Sequence, residues 1–215
     1  MKKSSKIFIA GHNGLVGSAI LERFRFHGFS NIVTRSRKQL DLTNQQSVKL
    51  FFENEKPDYV ILAAAKVGGI KANSDFRADF IYENLMIQTN VIHFAFINNV
   101  KSLLFLGSTC VYPRECPQPI KEKYLLTSQL EKTNESYAVA KISGLKMCES
   151  YNFQYNTNFI SIMPTNIYGI KDNFDLDTSH VLPAIFRKVY LSKLLFENEW
   201  DKLKYDLKKR PIGII

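Results

Sequence analysis

Short apolar runs alternate with amphipathic stretches along most of the chain. The apolar runs have the length of buried strands and cover residues 6–10, 31–34, 58–65, 102–107 and 159–163. Between and after them, apolar positions recur at helical spacing and predict helices at 15–27, 44–55, 77–98, 136–154, 181–196 and 199–208. This alternation is typical of right-handed βαβ units, so we expect an α/β fold, a doubly wound parallel sheet with helices on both faces.

The pattern changes after about residue 170. The polar stretch "GIKDNFDLDTSH" interrupts the alternation, and the charged helical segment that follows it has no closing strand. We predict one sheet domain over 1–170 and the incomplete beginning of a substrate-binding region over 171–215. Because ligands of open parallel sheets bind beyond the carboxyl ends of the strands, the segments that follow each strand are the candidate site.

Composition limits the kinds of protein that this can be. The 215 residues are 45% hydrophobic, enough for one large α/β domain. The net charge of +9 is concentrated at the two ends, with no basic stripe interleaved with aromatic residues, so no nucleic-acid partner is expected. Three cysteines are too few for a disulfide framework or a zinc site and favour a cytoplasmic location. No apolar run reaches about 18 residues, so neither a membrane span nor export is predicted.

A glycine-rich turn, "GHNGLVG", follows the first strand and leads straight into a helix. Gly11 permits a tight turn, Gly14 lets the backbone approach a pyrophosphate, and Gly17 allows the helix to pack closely on the strand. The N-terminus of that helix offers free N–H groups to an anion. A glycine-rich turn without a ligand is the alternative. The residues predicted to form a Rossmann-type dinucleotide site are Gly11, His12, Asn13, Gly14, Leu15, Val16 and Gly17.

Basic residues, rather than an acid, follow the second strand. A site for NAD usually places Asp or Glu about twenty residues after the glycines, where it binds the ribose 2′-hydroxyl, whereas an Arg suits a 2′-phosphate. In "RSRKQLD" the first acid is Asp41, which comes after Arg35, Arg37 and Lys38. We therefore predict NADP(H), with Arg35 as the main phosphate contact; solvated surface charges are the alternative. After the third strand, Lys66 is a further candidate for a phosphate or ribose contact.

Hydroxyls and a thiol follow the fourth strand, in "FLGSTCVYP". Further along, Tyr137 and Lys141 are four residues apart, so they lie one turn apart on one face of a helix. An ammonium group held there is expected to lower the pKa of the phenol, so that Tyr137 can exchange a proton with a carbonyl oxygen that Ser108 hydrogen-bonds. These residues predict hydride transfer at a carbonyl; an ordinary amphipathic helix is the alternative.

Taken together, these residues resemble the extended short-chain dehydrogenase/reductase superfamily, and more narrowly the GDP-L-fucose synthase family. The resemblance implies a Rossmann fold, NADPH as reductant, a GDP-sugar substrate and a homodimer formed through helices at about 80–98 and 136–154. It covers nearly all of residues 6–188. The matching stretches are "FIAGHNGLVGSAI", "LAAAKVGGIKAN", "ADFIYENLMIQTNVI", "LLFLGSTCVYP", "TNESYAVAKISGLKMCESYN", "MPTNIYG" and "DNFDLDTSHVLPAIFRK".

The resemblance also implies a division of roles. In that family one site reduces C4 of GDP-4-keto-6-deoxymannose and inverts C3 and C5, because the 4-keto group acidifies the neighbouring C–H bonds. By position, Cys110 is the base, His180 is the acid, and Lys188 contacts the nucleotide sugar. Without the resemblance, Cys110 would be interpreted as buried filler and His180 as structural. The implied catalytic residues are Ser108, Cys110, Tyr137, Lys141 and His180.

The implied cofactor contacts extend beyond the glycine-rich turn and Arg35. They follow the fourth and fifth strands, where the nicotinamide end of the cofactor is expected, and a simple turn is the alternative for Asn166. The remaining implied contacts are Leu106, Gly107, Ser108, Thr109, Lys141, Pro164, Thr165, Asn166, Ile167 and His180.

The chain departs from the resembled family in two places. Asn13 stands where an Arg is frequent in the glycine-rich turn, and the family's further substrate domain is expected to be largely missing. Trp200 lies in a segment that resembles an insertion known in some members. Two alternatives stay open: an enzyme for a related GDP-4-keto sugar, such as a deoxyheptose, and a catalytically silent cofactor-binding remnant.

Overall fold

The computed structural model describes residues 1–176 and 178–211, and it contains one five-stranded parallel sheet. The strand order is β2-β1-β3-β4-β5, and the register places Ile7 to Ala10 of β1 beside Tyr59 to Leu62 of β3. The order reverses between β1 and β3, which is where open parallel sheets bind ligands. The predicted doubly wound sheet is confirmed. Its strands are β1 (Ile7–Ala10), β2 (Ile32–Val33), β3 (Tyr59–Leu62), β4 (Ser102–Leu106) and β5 (Phe159–Ile162).

The helices follow the apolar periodicity closely. Each predicted helix is present and begins and ends within one residue of the prediction. One short helix, α3, was not predicted, because its six residues are too few and too polar to show a period. The helices are α1 (Leu15–Phe26), α2 (Gln45–Glu55), α3 (Ile70–Asp75), α4 (Arg77–Ile97), α5 (Glu135–Tyr155), α6 (Val181–Phe196) and α7 (Trp200–Lys209).

Strand β3 is shorter than its apolar run. The run continues to residue 65, but pairing stops at Leu62 because the next residues lie against the glycine-rich turn. A Cβ built on Gly11 would come within 2.6 Å of the Ala64 backbone nitrogen. The small side chains after β3 therefore serve close approach to that turn rather than strand pairing.

Two hydrophobic layers cover the sheet. Helices α2, α4 and α5 bury one face around Phe8, Phe52 and Phe105, whereas α1 covers the other face around Ile9 and Leu21. Burial of these side chains, at about 25 cal/mol per Å² of apolar surface, is the main favourable contribution to folding. The two layers hold the strand ends at one edge of the molecule, where the candidate site lies.

The α1 side of the sheet is only partly covered. Strand β5 pairs with β4 alone among the described residues, and Ile160 and Ile162 on it are 48% and 42% exposed. An apolar groove of about 620 Å³ also lies between α1 and residues 167–171. This flank is the least protected apolar surface of the sheet.

Helices α6 and α7 form a hairpin with a small core of its own. Leu191, Leu194 and Leu203 pack together, and the buried guanidinium of Arg187 donates a 2.9 Å hydrogen bond to Asp206. A buried ion pair of this kind fixes the relative position of the two helices, since separating it would leave an uncompensated charge. The boundary at residue 170 remains a prediction. Asp177 and residues 212–215 of the predicted second region lie outside the described residues.

Candidate active site

The glycine-rich turn has the close backbone packing that the sequence predicts. Gly11 has a φ of +86°, a conformation that favours glycine, and its carbonyl accepts a 3.0 Å hydrogen bond from the Gly14 N–H. A Cβ built on Gly17 would lie 2.2 Å from the Gly11 oxygen, so any side chain there would force the turn away from α1. Substitution of either Gly11 or Gly17 would therefore displace the turn.

The N-terminus of α1 is open to an anion. The helix begins after Gly14, has no acidic residue in its first turn and, within the described residues, has no side-chain hydrogen bond at its N-cap. The dipole and free N–H groups of such a terminus favour a phosphate. Beside it, burial and the charges of Arg25 and Lys171 lower the pKa of His12, which keeps that imidazole neutral. Leu15 and Val16 are half-buried on the first turn, and Asn13 and Gly14 are exposed.

The basic residues predicted to contact phosphate are already paired with carboxylates. Arg35 forms an ion pair with Glu55 and donates a 2.9 Å hydrogen bond to the Thr34 carbonyl. Lys66 lies 2.6 Å from Glu83, which also pairs with Arg37 at 3.1 Å. The hydrogen bond that the Lys66 ammonium donates to Glu83 raises the pKa of Lys66. Arg35 is half-exposed and can still reach a ligand, whereas the Lys66 ammonium is committed to its own acids.

The end of β4 forms a tight turn that presents the Ser108 hydroxyl. Residues Thr109–Val111 make one 3-10 turn, and the Ser108 oxygen accepts a 3.4 Å hydrogen bond from the Cys110 N–H. Gly107 donates through its N–H to the Ile162 carbonyl at 2.8 Å, and Thr109 does so to the Pro164 carbonyl at 3.4 Å. The segments after β4 and β5 are thereby joined, which places the predicted nicotinamide contacts side by side. Beyond Pro164, residues Thr165, Asn166 and Ile167 are exposed.

The Cys110 thiol lies among groups that act on its pKa in opposite directions. Burial raises the pKa of the thiol, while the hydrogen bond with Ser108 and the charge of Lys141 lower it. Desolvation outweighs both, so the pKa stays above its usual value. Only the thiolate acts as a base, so these two neighbours are the groups that would activate Cys110.

Tyr137 and Lys141 lie in one buried cluster with the end of β4. The Lys141 ammonium donates a 2.8 Å hydrogen bond to the Leu106 carbonyl and lies 5.6 Å from the centre of the Tyr137 ring. Burial raises the pKa of Tyr137, and the charge of Cys110 raises it further. The pKa shift is therefore opposite to the lowering that the sequence led us to expect, and burial is its main cause. Tyr137 is held as a proton donor.

Lys141 is itself perturbed by its surroundings. It is 3% exposed, and burial lowers its pKa to about 8 from a usual value of 10.5. The described structure gives it a carbonyl partner rather than a carboxylate, so little offsets the loss of hydration. The ammonium is available for a ligand hydroxyl at neutral pH, and it is close to losing its proton.

His180 and Lys188 belong to a different element from this cluster. His180 is the N-cap of α6, and Lys188 lies two turns further along the same helix; both side chains are exposed. Among the described contacts, no hydrogen bond or ion pair links either residue to Ser108, Cys110 or Tyr137. The described contacts therefore connect four of the five predicted catalytic residues, and they do not include His180.

Three buried amides support the site, and the sequence analysis missed all of them. Asn84 and Gln88 of α4 are 2% and 3% exposed, and Asn73 of α3 is 6% exposed. Gln88 donates to the Ala140 carbonyl, beside Lys141, and the other two residues bind the loop after β3. Amides four residues apart on the apolar side of a helix are the signal that could have found the first pair.

The described residues also allow two searches for other kinds of site. Within 1–176 and 178–211, none of the helices combines the length and apolar character needed to cross a bilayer. The same part of the chain contains no group of three His, Cys, Asp or Glu side chains arranged to hold a metal ion.

Comparison with known proteins gives several close relatives. GDP-L-fucose synthase 1 of Arabidopsis thaliana is 58% identical over 192 residues, which are 89% of this chain and 59% of that protein. GDP-L-fucose synthase of Escherichia coli is 52% identical over 185 residues, 86% of this chain and 58% of that protein. The chain thus spans less than two thirds of the length of these curated relatives.

Solved structures agree with this fold. A GDP-D-glycero-L-gluco-heptose synthase from Campylobacter jejuni, crystallised in the presence of NADPH, superposes with a TM-score of 0.93 at 52% identity. The match covers 97% of this chain and 61% of that one. The model of the NAD dependent epimerase/dehydratase family matches residues 7–207, nearly the whole chain. This chain belongs to the NAD dependent epimerase/dehydratase family.

Proposed function

We propose that this chain is the cofactor-binding part of an NADPH-dependent 3,5-epimerase and 4-reductase that converts GDP-4-keto-6-deoxy-D-mannose to GDP-L-fucose. The observation that carries the proposal is the cluster of Ser108, Cys110, Tyr137 and Lys141 at the end of β4, in a fold whose α1 begins without a side-chain hydrogen bond at its N-cap. Its similarity to GDP-L-fucose synthases along most of its length supports the substrate class.

The residues present fit a dinucleotide. The turn at Gly11 and Gly17 has no room for side chains, and the first turn of α1 offers its N–H groups to a pyrophosphate. Lys141 would hold the nicotinamide ribose, and the segments after β4 and β5 would flank the ring. When bound, NADPH supplies the hydride that reduces C4 of the sugar.

Ser108 and Tyr137 would bind the 4-keto oxygen. Both donate hydrogen bonds, so they polarise the carbonyl, and the oxygen gains a proton from Tyr137 as C4 is reduced. The raised pKa of Tyr137 keeps the phenol protonated until that step. The phenolate that results is stabilised by the Lys141 ammonium, which lies 5.6 Å from the ring centre.

Cys110 and His180 would invert C3 and C5. The thiolate takes the proton from the carbon next to the polarised carbonyl, which leaves an enolate held by Ser108 and Tyr137. The imidazolium of His180 then returns a proton to the same carbon from the opposite face. One proton leaves and one arrives at each centre, and between the two inversions Cys110 gives its proton to solvent while His180 takes one from it. The sugar thus changes configuration without a change in oxidation state.

Substitution of Tyr137 and of Cys110 should give separable defects. In a protein of the relatives' full length that carries this sequence, Tyr137→Phe should slow reduction by roughly 100-fold or more, because a general acid is lost. Cys110→Ser should block inversion and leave hydride transfer, so the product should keep its original configuration at C3 and C5. Product analysis by NMR distinguishes the two. Solvent deuterium entering C3 and C5 at the wild-type rate in Cys110→Ser would show that another group is the base.

The preference for NADPH is the part of the proposal that this chain can test alone. The half-exposed guanidinium of Arg35 follows β2. The glycine-rich turn has Asn13 and therefore no arginine of its own to bind the 2′-phosphate. Titration calorimetry should show NADPH bound more tightly than NADH, and Arg35→Ala should weaken NADPH roughly tenfold while leaving NADH unchanged. Equal affinity for the two cofactors in the wild-type chain would contradict the 2′-phosphate contact.

A related keto sugar is the second candidate substrate. The Campylobacter jejuni heptose synthase superposes with a TM-score of 0.93, and a GDP-L-fucose synthetase from Naegleria fowleri superposes with a TM-score of 0.83. Parallel assays with GDP-4-keto-6-deoxy-D-mannose and with a GDP-4-keto heptose decide which of the two sugars is reduced faster.

We also propose a cytoplasmic homodimer. The three cysteines of the chain are unpaired in the structure, which suits a reducing compartment. The exposed sides of α4 and α5 carry Tyr82 and Val139, which are available to a second copy.

A further inference from the structure

The loop after β3 is held rigid by two asparagine side chains. Asn84 accepts a hydrogen bond from the Lys66 N–H at 2.9 Å and donates one to the Lys66 carbonyl at 3.0 Å. Asn73 donates to the carbonyls of Gly68 and Gly69, at 2.7 and 3.0 Å. Buried backbone N–H and carbonyl groups need hydrogen-bond partners, and in this loop the two asparagine amides supply them instead of a paired strand. We call residues 63–69, with these bonds, the strut.

The first end of the strut lies against the cofactor turn. The backbone of Ala63 and Ala64 approaches Gly11 so closely that a Cβ there would come within 2.6 to 2.8 Å of it. Contact at this distance anchors the strut at this end, because packed backbone cannot be compressed, so a clash at the other end displaces the neighbouring segment rather than the cofactor turn.

The second end of the strut lies against the segment that precedes His180. The Gly69 N–H donates a 3.0 Å hydrogen bond to the Thr178 carbonyl. A Cβ on Gly69 would lie 2.7 Å from the Ser179 carbonyl oxygen and 3.3 Å from that of Thr178. The φ of Gly69 is −66°, so glycine is needed here for space and not for backbone conformation.

The segment that carries His180 is bonded to itself. The Asp175 carboxylate accepts hydrogen bonds from the Thr178 N–H at 3.0 Å and from its hydroxyl at 2.9 Å, and the Asp175 carbonyl accepts the Ser179 N–H at 2.9 Å. His180 is the next residue and begins α6. A shift at Thr178 or Ser179 therefore moves the backbone of His180, from which the imidazole projects.

We propose that the strut positions His180, with Gly69 as its point of contact, so that the acid for epimerisation is set by the same loop that supports the cofactor turn. The inference rests on the proposed function, since it requires His180 to return the proton at C3 and C5. Gly69 and Asn73 are positioning residues in this scheme and do not touch the substrate.

The substitution Gly69→Ala tests the contact. Its methyl group would meet carbonyl oxygens of residues 178 and 179 and push that segment outwards. Proton transfer should slow as a result, because a misplacement of the acid by about 1 Å costs roughly 100-fold in rate. Gly68→Ala is the matched control, because its methyl group would meet only the Ala72 and Phe80 side chains, at 3.0 and 3.2 Å. NADPH affinity in this chain, measured by calorimetry, should match wild type in both variants.

The rates of deuterium exchange and of hydride transfer distinguish a mispositioned His180 from a general loss of structure. In a protein of the relatives' full length that carries this sequence, with NADP⁺ bound, incorporation of solvent deuterium at C3 and C5 should fall roughly ten- to hundred-fold in Gly69→Ala and stay near wild type in Gly68→Ala. Hydride transfer to a keto sugar already inverted at both carbons should be unchanged in either variant. A merely structural defect would lower hydride transfer and NADPH affinity together with exchange, and that result would overturn the proposal.

His180→Asn distinguishes the inference from the function on which it rests. If His180→Asn exchanges deuterium at the wild-type rate, the proposed acid is wrong and the positioning scheme falls with it. If His180→Asn loses exchange while Gly69→Ala retains it, the proposed function stands and the strut does not position His180.

Discussion

Lys141 is a buried cation whose hydrogen-bond partner is a backbone carbonyl. Its ammonium is 3% exposed, donates to Leu106 and has a pKa lowered to about 8. The folded chain therefore binds the Lys141 proton more weakly than the unfolded chain does. Between the two pKa values the unfolded chain carries more protons, so the free energy of unfolding rises with pH.

This buried amine should give the chain a measurable pH dependence of stability. Between about pH 7.5 and about pH 10, the Lys141 contribution to the free energy of unfolding should increase by about 2 kcal/mol, because each unit of pKa difference corresponds to about 1.4 kcal/mol. Urea denaturation of wild type and of Lys141→Met at both pH values measures this contribution, as the difference between the two proteins. A difference between the two proteins that stays constant with pH would contradict the lowered pKa.

Helix α4 organises the loops on the β3 side of the site. Its side chains Asn84 and Gln88 bind backbone at Lys66 and Ala140, and Glu83 pairs with Lys66 and Arg37. Three segments that are distant in sequence are thereby fixed to one helix.

Removal of the Asn84 amide should destabilise the chain more than removal of a similar amide elsewhere on α4. Asn84→Ala would leave the Lys66 N–H and carbonyl without their partner, and we expect a loss of about 2 to 3 kcal/mol in the free energy of unfolding. Asn98→Ala is the matched control, since Asn98 also donates to a carbonyl four residues earlier, at 2.9 Å, and should cost under about 1 kcal/mol. Equal losses in urea denaturation would show that the bonds to Lys66 contribute nothing.

The helices could be predicted from the sequence more closely than the strands. Helices such as α6 carry their apolar period over several turns, and so their ends could be located. The end of β3 could not, because Ala63 and Ala64 look like a continued strand and their contact with Gly11 is tertiary.

The members of the site could be predicted, but not their electrostatics. The spacing of Tyr137 and Lys141 and the position of Ser108 after a strand were enough to place them together. The sign of the Tyr137 pKa shift depends on burial, and the pairing of Arg35 and Lys66 depends on acids far away in sequence. Neither is visible in a local pattern.

At the scale of the whole molecule, the α4 and α5 surface should mediate self-association. Tyr82 is 62% exposed and Val139 is 38% exposed, although both lie on helices whose other sides form the core. Sedimentation well above micromolar concentration should show a dimer, and Tyr82→Glu with Val139→Glu should give a monomer, because buried charges oppose the contact.

A matched variant on another face controls for added charge. Phe26→Glu places a carboxylate at a 77% exposed aromatic residue of α1 and should leave the dimer intact. A wild-type monomer, or a dimer that resists the double substitution, would count against this interface.

The unpaired edge of strand β5 affects how this chain aggregates. On its outer side the Asn152 side chain bonds both the N–H and the carbonyl of Phe159, at 2.9 and 2.7 Å, so the edge left for another chain is short. That edge lies at Ser161, next to Ile160 and Ile162, which are both nearly half exposed, and in the described part of the chain β5 pairs with β4 alone. Such an edge can recruit any extended peptide through the backbone, with little regard to sequence. Aggregation of this chain in concentrated solution is therefore expected to begin by strand addition at β5, and a lysine or proline there would suppress it without touching the chemistry.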